Sequence, residues 1–107
     1  DYCEQEPSRA EVDALPGATL LEFGSPVCGH CLRAQPLIAA ATAAHPGLGH
    51  LKIFDGRGRP LGRSFRVKLW PTLVLLRDGE ELARVVRPQD ASAAAAALAP
   101  LTGDNAP

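Results

Sequence analysis

The chain has 107 residues, 46% of them hydrophobic and 21% charged, with a formal net charge of −1. That length suits one domain with a packed core of its own, and the composition is globular rather than disordered. The near-neutral charge offers no whole-molecule attraction to nucleic acid or to an anionic membrane, and no apolar run approaches the roughly 18 residues of a membrane span.

The first residues, Asp1-Tyr-Cys-Glu-Gln-Glu-Pro7, lack the basic and apolar regions of a signal peptide. With no methionine anywhere in the chain, its start is expected to be processed or trimmed, which leaves a removed signal peptide open. Ser8 and Glu11 have the capping-box spacing, predicting a short helix to about Leu15 that Pro16-Gly17 stops. Residues Ala18 to Phe23 are apolar nearly throughout and read as a buried strand. Gly29 to His45, rich in Ala and Leu, reads as a long helix with a kink expected at Pro36. His50 to Phe54 reads as a second strand, followed by a Gly/Arg/Pro loop and a short helix near Leu61 to Phe65. Pro71 to Leu76 and Glu81 to Val86 flank Asp78-Gly79, a hairpin signal. Ala91 to Leu98 is expected to be a closing helix and Thr102 onward a frayed tail.

This order implies an α/β layer fold, with the first two strands parallel through a right-handed crossover and the hairpin antiparallel in the same sheet. Charge is uneven along the chain. Asp1, Glu4, Glu6, Glu11 and Asp13 make an acidic start, and Arg57, Arg59, Arg63, Arg66 and Lys68 a basic middle. Without interleaved aromatic residues, these read as solvated faces rather than a phosphate-binding patch.

The chemistry-bearing feature is Cys28-Gly-His-Cys31, placed where a strand hands over to a helix. Three cysteines are too few for a disulfide scaffold. The pair could bind zinc, because thirteen residues later His45 and His50 complete a Cys2His2 spacing. Against this, Pro46-Gly47 separates the histidines, and a helix of roughly 20 Å, at about 1.5 Å per residue, separates them from the cysteines. Four ligands cannot then meet at about 2.3 Å from one ion, so His45 and His50 are expected to have no special role. Redox chemistry fits better. A thiolate is favoured at a helix N-terminus, beside a cation or in a Cys-X-X-Cys pair, and Cys28 meets all three conditions with His30 two residues on. A CxxC beside a βαβ pattern is a recognised redox signature.

Over roughly Ser8 to Leu101 the sequence resembles the thioredoxin superfamily. The similarity rests on Leu20-Leu-Glu-Phe23, Cys28-Gly-His-Cys31, Pro36, Lys52, Trp70-Pro71-Thr72 and Asp78-Gly79. The tetrapeptide is the version of protein disulfide isomerase domains. The resemblance implies a thioredoxin-like fold, a central mixed sheet flanked by helices on both faces, within one domain over 1–107. It implies that Cys28 is the nucleophile and Cys31 the resolving thiol, without a bound cofactor and without metal. It further implies that Glu22, beneath the cysteines, relays a proton to or from Cys31 through water with a pKa raised by burial, and that Lys52 lies beside it. Gly29 and His30 would tune the potential, His30 in its positive form. Pro71 would be a cis-proline whose neighbour's backbone pairs with substrate.

Three positions depart from the family pattern. Val27 stands where tryptophan is usual, Trp70 precedes the expected cis-proline, and Arg87-Pro88 replaces a glycine, so the substrate groove is expected to differ. Cys3 is read as a free terminal thiol. The function expected is thiol–disulfide oxidoreduction of protein or small-molecule disulfides, recharged by an upstream reductase or thiol pool. The protein is expected to act as a cytoplasmic monomer with neither nucleic acid nor membrane as partner. The competing readings are a binding module without turnover and, in an exported compartment, a disulfide oxidase or isomerase.

Overall fold

The computed structural model describes Tyr2 and residues 5–103; Cys3 lies outside them, as do the acidic Asp1 and Glu4. Ser8 caps the first helix, α1 (Arg9–Asp13), by the expected capping box: its hydroxyl accepts from the Glu11 N–H and the Glu11 carboxylate accepts from the Ser8 N–H. The chain continues through β1 (Ala18–Gly24), α2 (Gly29–Ala43), β2 (Gly49–Phe54), α3 (Pro60–Ser64), β3 (Thr72–Arg77) and β4 (Glu80–Val86) to α4 (Ala91–Ala96) and α5 (Ala99–Gly103). The end differs from expectation. The closing helix stops and restarts, because Pro100 has no N–H to continue the ladder and clashes with the preceding turn. Thr102 therefore belongs to α5, its hydroxyl donating to the Ala99 carbonyl at 2.9 Å.

The four strands form one mixed sheet in the order β2-β1-β3-β4. β1 and β2 are parallel, as the crossover through α2 requires, while β3 runs antiparallel to both β1 and β4. Asp78 and Gly79, at φ 51° and 83°, make the hairpin turn between β3 and β4. A side chain at Gly79 would also strike the Asp13 backbone carbonyl, so glycine is required there on two counts.

Strand alternation sorts the core into two layers. Leu21, Phe23, Val74 and Leu76 pack against Val12 of α1 and Leu61 of α3. On the other face, Leu20, Leu73 and Leu75 pack against Ala34 and Ile38 of α2 and Leu98 beyond α4. Helices thus cover both faces. Glu22 alternates with Leu20, which directs its carboxylate into the layer beneath α2.

Candidate active site

β1 ends at Gly24, and Ser25-Pro-Val27 leads directly into α2 with Cys28 as its N-cap residue. The Cys28 N–H donates to the Ser25 carbonyl at 3.2 Å, and the Leu32 N–H to the Cys28 carbonyl at 3.0 Å, fixing the turn. Both cysteines are free thiols; Cys28 is half-buried and Cys31 only 1% exposed. Burial raises the Cys28 pKa. Hydrogen bonds from the Cys31 backbone and side chain and the His30 backbone, together with the Arg87 charge, outweigh that and hold it below the ordinary thiol value. Burial likewise pushes Cys31 up, with the Cys28 side chain adding to it, and hydrogen bonding with the Ser25 backbone and the Tyr2 side chain only partly offsets the rise. The two thiols are therefore split in opposite directions, as a nucleophile and a resolving partner need.

Beneath Cys31, Glu22 is 0% exposed and fully partnered. Its Oε1 accepts from His50 Nε2 at 2.9 Å, and its Oε2 from the Tyr2 hydroxyl at 2.6 Å and from Gln35 Nε2 at 2.8 Å. Lys52 reaches the group through Gln35, donating to its Oε1 at 2.6 Å. Burial alone raises the Glu22 pKa, as expected. The hydrogen bonds from His50, Gln35 and Tyr2 and the charge of Lys52 reverse that, so the net shift is downward and Glu22 is a carboxylate at neutral pH. Three sequence expectations change here. The Glu22 pKa is lowered rather than raised, because its hydrogen-bond donors and Lys52 outweigh burial. His50 is a direct partner of the buried acid rather than a bystander, and Lys52 acts through an intermediary.

Around Cys28 the cation is Arg87, not His30. The Arg33 guanidinium can only donate, so its 3.0 Å contact makes His30 Nδ1 an acceptor and the imidazole neutral. Arg87, burial and Arg33 all lower the His30 pKa. The expected imidazolium support is thus replaced by the His30 backbone and the Arg87 charge. Arg87→Gln is expected to raise the Cys28 pKa and slow its alkylation at neutral pH about two- to fivefold. His30→Ala should leave the alkylation pH profile close to wild type.

Trp70 and Pro71 border the same edge, and the bond between them is cis. Trp70 Nε1 donates to Asp55 Oδ2 at 2.8 Å, seating the indole on a buried carboxylate. Arg87 Nε donates to the Trp70 carbonyl at 2.7 Å, and the Arg87 N–H to the Pro71 carbonyl at 2.8 Å. In the backbone beside Pro71, which was expected to pair with substrate, the Trp70 carbonyl thus already has a donor. Val27, next to Cys28, is 88% exposed, an apolar contact surface at the mouth of the site.

The thioredoxin family model matches residues 3–99. This chain belongs to the thioredoxin family. Thioredoxin 2 of Pseudomonas aeruginosa PAO1, solved in its reduced form, superposes with a TM-score of 0.86 at 56% identity, over 97% of this chain and 96% of that one. Thioredoxin of Chlamydia pneumoniae is 36% identical, over 69% of this chain and 72% of its own length. Protein disulfide-isomerase A3 of Gallus gallus is 39% identical over 62% of this chain, which corresponds to 13% of that protein. The thioredoxin-like fold is borne out, and the protein is a thiol–disulfide oxidoreductase.

Within this thioredoxin-family site, four partners escaped the sequence reading: Tyr2, Gln35, His50 and Asp55. A signal existed for two of them. Gln35 follows Cys31 by one helical turn, and its side chain donates back to the Cys31 carbonyl at 3.0 Å. His50 alternates with Lys52 on β2, whose Lys52 pairs in register with Glu22. Tyr2 carried no local signal. The Cys2His2 spacing is not assembled: α2 separates Cys31 from His45, and His50 turns towards Glu22. Among the described residues, no group of three or more His, Cys, Asp or Glu side chains is placed to hold a metal ion.

Proposed function

We propose that this protein is a reductase of protein and small-molecule disulfides in which Cys28 attacks, Cys31 resolves and Glu22 takes the proton. The observation that carries this reading is the placement of Cys28 at the N-cap of α2, with the buried Cys31 above a buried Glu22 carboxylate that three donors hold. The Cys28 thiolate attacks a substrate disulfide, forming a mixed disulfide and releasing one substrate thiolate. Cys31 then loses its proton towards Glu22 and attacks the Cys28 sulfur. The mixed disulfide breaks, the second substrate thiolate leaves, and Cys28 and Cys31 end as a disulfide. Two electrons have passed to the substrate, and an upstream reductase or thiol pool restores them.

Val27, Trp70 and Pro71 form the substrate edge in this reading. Arg87 both favours the Cys28 thiolate and holds the Trp70 carbonyl. A neutral His30 favours the reductive direction, because the reduced state lacks the imidazolium support that makes a disulfide strongly oxidising. The test is the equilibrium of the Cys28–Cys31 disulfide in a glutathione redox series, followed by thiol alkylation. The reading expects a potential below about −240 mV, towards the thioredoxin end of the known scale. A value near about −180 mV would make it an oxidase or isomerase, and a pair that never closes would end the enzymatic assignment of these residues.

A further inference from the structure

The amino-terminal arm delivers a tyrosine into the site. Glu6 pins the arm by accepting from the Leu61 N–H of α3 at 3.0 Å, and Tyr2 lies beyond it with its hydroxyl 2.6 Å from Glu22 Oε2. Gly24, at the end of β1, shows how close that hydroxyl comes to the resolving thiol. A Cβ on Gly24 would meet Tyr2 Oη at 2.6 Å and Cys31 Sγ at 2.7 Å, so both atoms border the same point above its Cα. Tyr2 and Cys31 also line one hollow of about 270 Å³ with Ser25, Pro26, Gln35 and Lys52. The Lys52 ammonium sits over the Tyr2 ring, 4.8 Å from its centroid.

From this placement, we propose that the Tyr2 hydroxyl is the proton shuttle between Cys31 and Glu22. When Cys31 resolves the mixed disulfide, its thiol proton passes to Tyr2 Oη while the tyrosine's own proton passes to Glu22 Oε2. Tyr2 ends with one proton, as it began; Glu22 becomes a neutral acid, and the Cys31 thiolate attacks the Cys28 sulfur. Proton return follows the reverse path when the pair is reduced again. A phenol suits this task because it donates and accepts at one oxygen. Burial, together with the neighbouring Glu22 carboxylate, raises the Tyr2 pKa, so the phenol stays protonated between transfers. The titratable and charged groups facing it are Glu22 on β1, Cys31 on α2 with Cys28 one turn away, and His50 and Lys52 on β2.

This proposal rests on the assignment of Cys31 and Glu22 above, and the experiment separates the two. Reduced protein is mixed with the chromogenic disulfide DTNB in single turnover, which releases one coloured thiolate on attack by Cys28 and a second on resolution by Cys31. Tyr2→Phe, which keeps the ring and removes the hydroxyl, is expected to leave the first phase unchanged and slow the second at least tenfold at neutral pH. It should also move the second phase's pH midpoint upward, with the rate recovering in alkali as hydroxide takes the proton instead. A second phase equal to wild type in rate and pH profile overturns the shuttle. So does a slower phase with an unmoved profile, which would mean a purely structural tyrosine. If Cys31→Ser still gives the second phase, the assignment of Cys31 itself fails, whatever Tyr2 does.

Discussion

Cys31→Ser attacks a disulfide once and then stops. Cys28 keeps its backbone donors from His30 and α2 and the Arg87 charge, so the first exchange proceeds. A serine hydroxyl cannot resolve the product, because it is neither ionised at neutral pH nor a partner for a disulfide bond. Multiple turnover is expected to fall by roughly a thousandfold or more, in keeping with the loss of a covalent participant. The protein should accumulate as a one-to-one covalent adduct with its substrate, visible by intact mass and reversed by added thiol. Serine fits the space of this buried residue, so folding should persist. A variant that turns over without accumulating adduct would remove Cys31 from the pathway.

Glu22→Gln keeps the shape of the buried acid and removes its basicity. The resolution step is expected to slow roughly a hundredfold, the lower range for loss of a positioned proton acceptor, while attack by Cys28 stays close to wild type. The same variant should change how stability depends on pH. The folded-state pKa of Glu22 lies below the ordinary carboxylate value of 4.5. Its contribution is therefore complete above that value and is lost as pH falls through the folded pKa. Wild type should lose thermal stability from about pH 5 downward more steeply than the glutamine variant. At neutral pH the variant should be less stable by about 1–3 kcal/mol, because the amide NH2 faces a donor that the carboxylate accepted. Parallel acid profiles for the two proteins would mean that Glu22 is not the group responsible.

The frame was legible because the local signals agreed with each other. Ser8 and Glu11 announced α1, Asp78-Gly79 the hairpin, and the apolar run before Cys28 a central strand, and each stands in the fold. The cysteine pair was legible for the same reason: its strand-to-helix position is set by short-range chemistry. The buried acid was only half legible. Its place in an apolar strand marked it as anomalous, but the sign of its pKa shift depended on donors from α2, β2 and the amino-terminal arm. Burial alone would have raised it; three hydrogen bonds and a lysine decide otherwise. His30 illustrates the same limit. Its charge state is set by Arg33 one turn along and by Arg87 across the site, and only the fold brings Arg87 there. Tyr2 was least legible of all, since nothing in the nineteen residues between it and Glu22 signals that the two side chains meet.

The most direct test of the account is a residue-resolved titration of the two thiols. Reduced protein is pulse-alkylated across a pH series, and each cysteine is followed by peptide mass. Cys28 is expected to be alkylated with a midpoint below the ordinary thiol value and Cys31 with one above it, as their opposite shifts require. Equal midpoints, or Cys31 titrating first, would contradict the division of labour on which the proposed reaction depends.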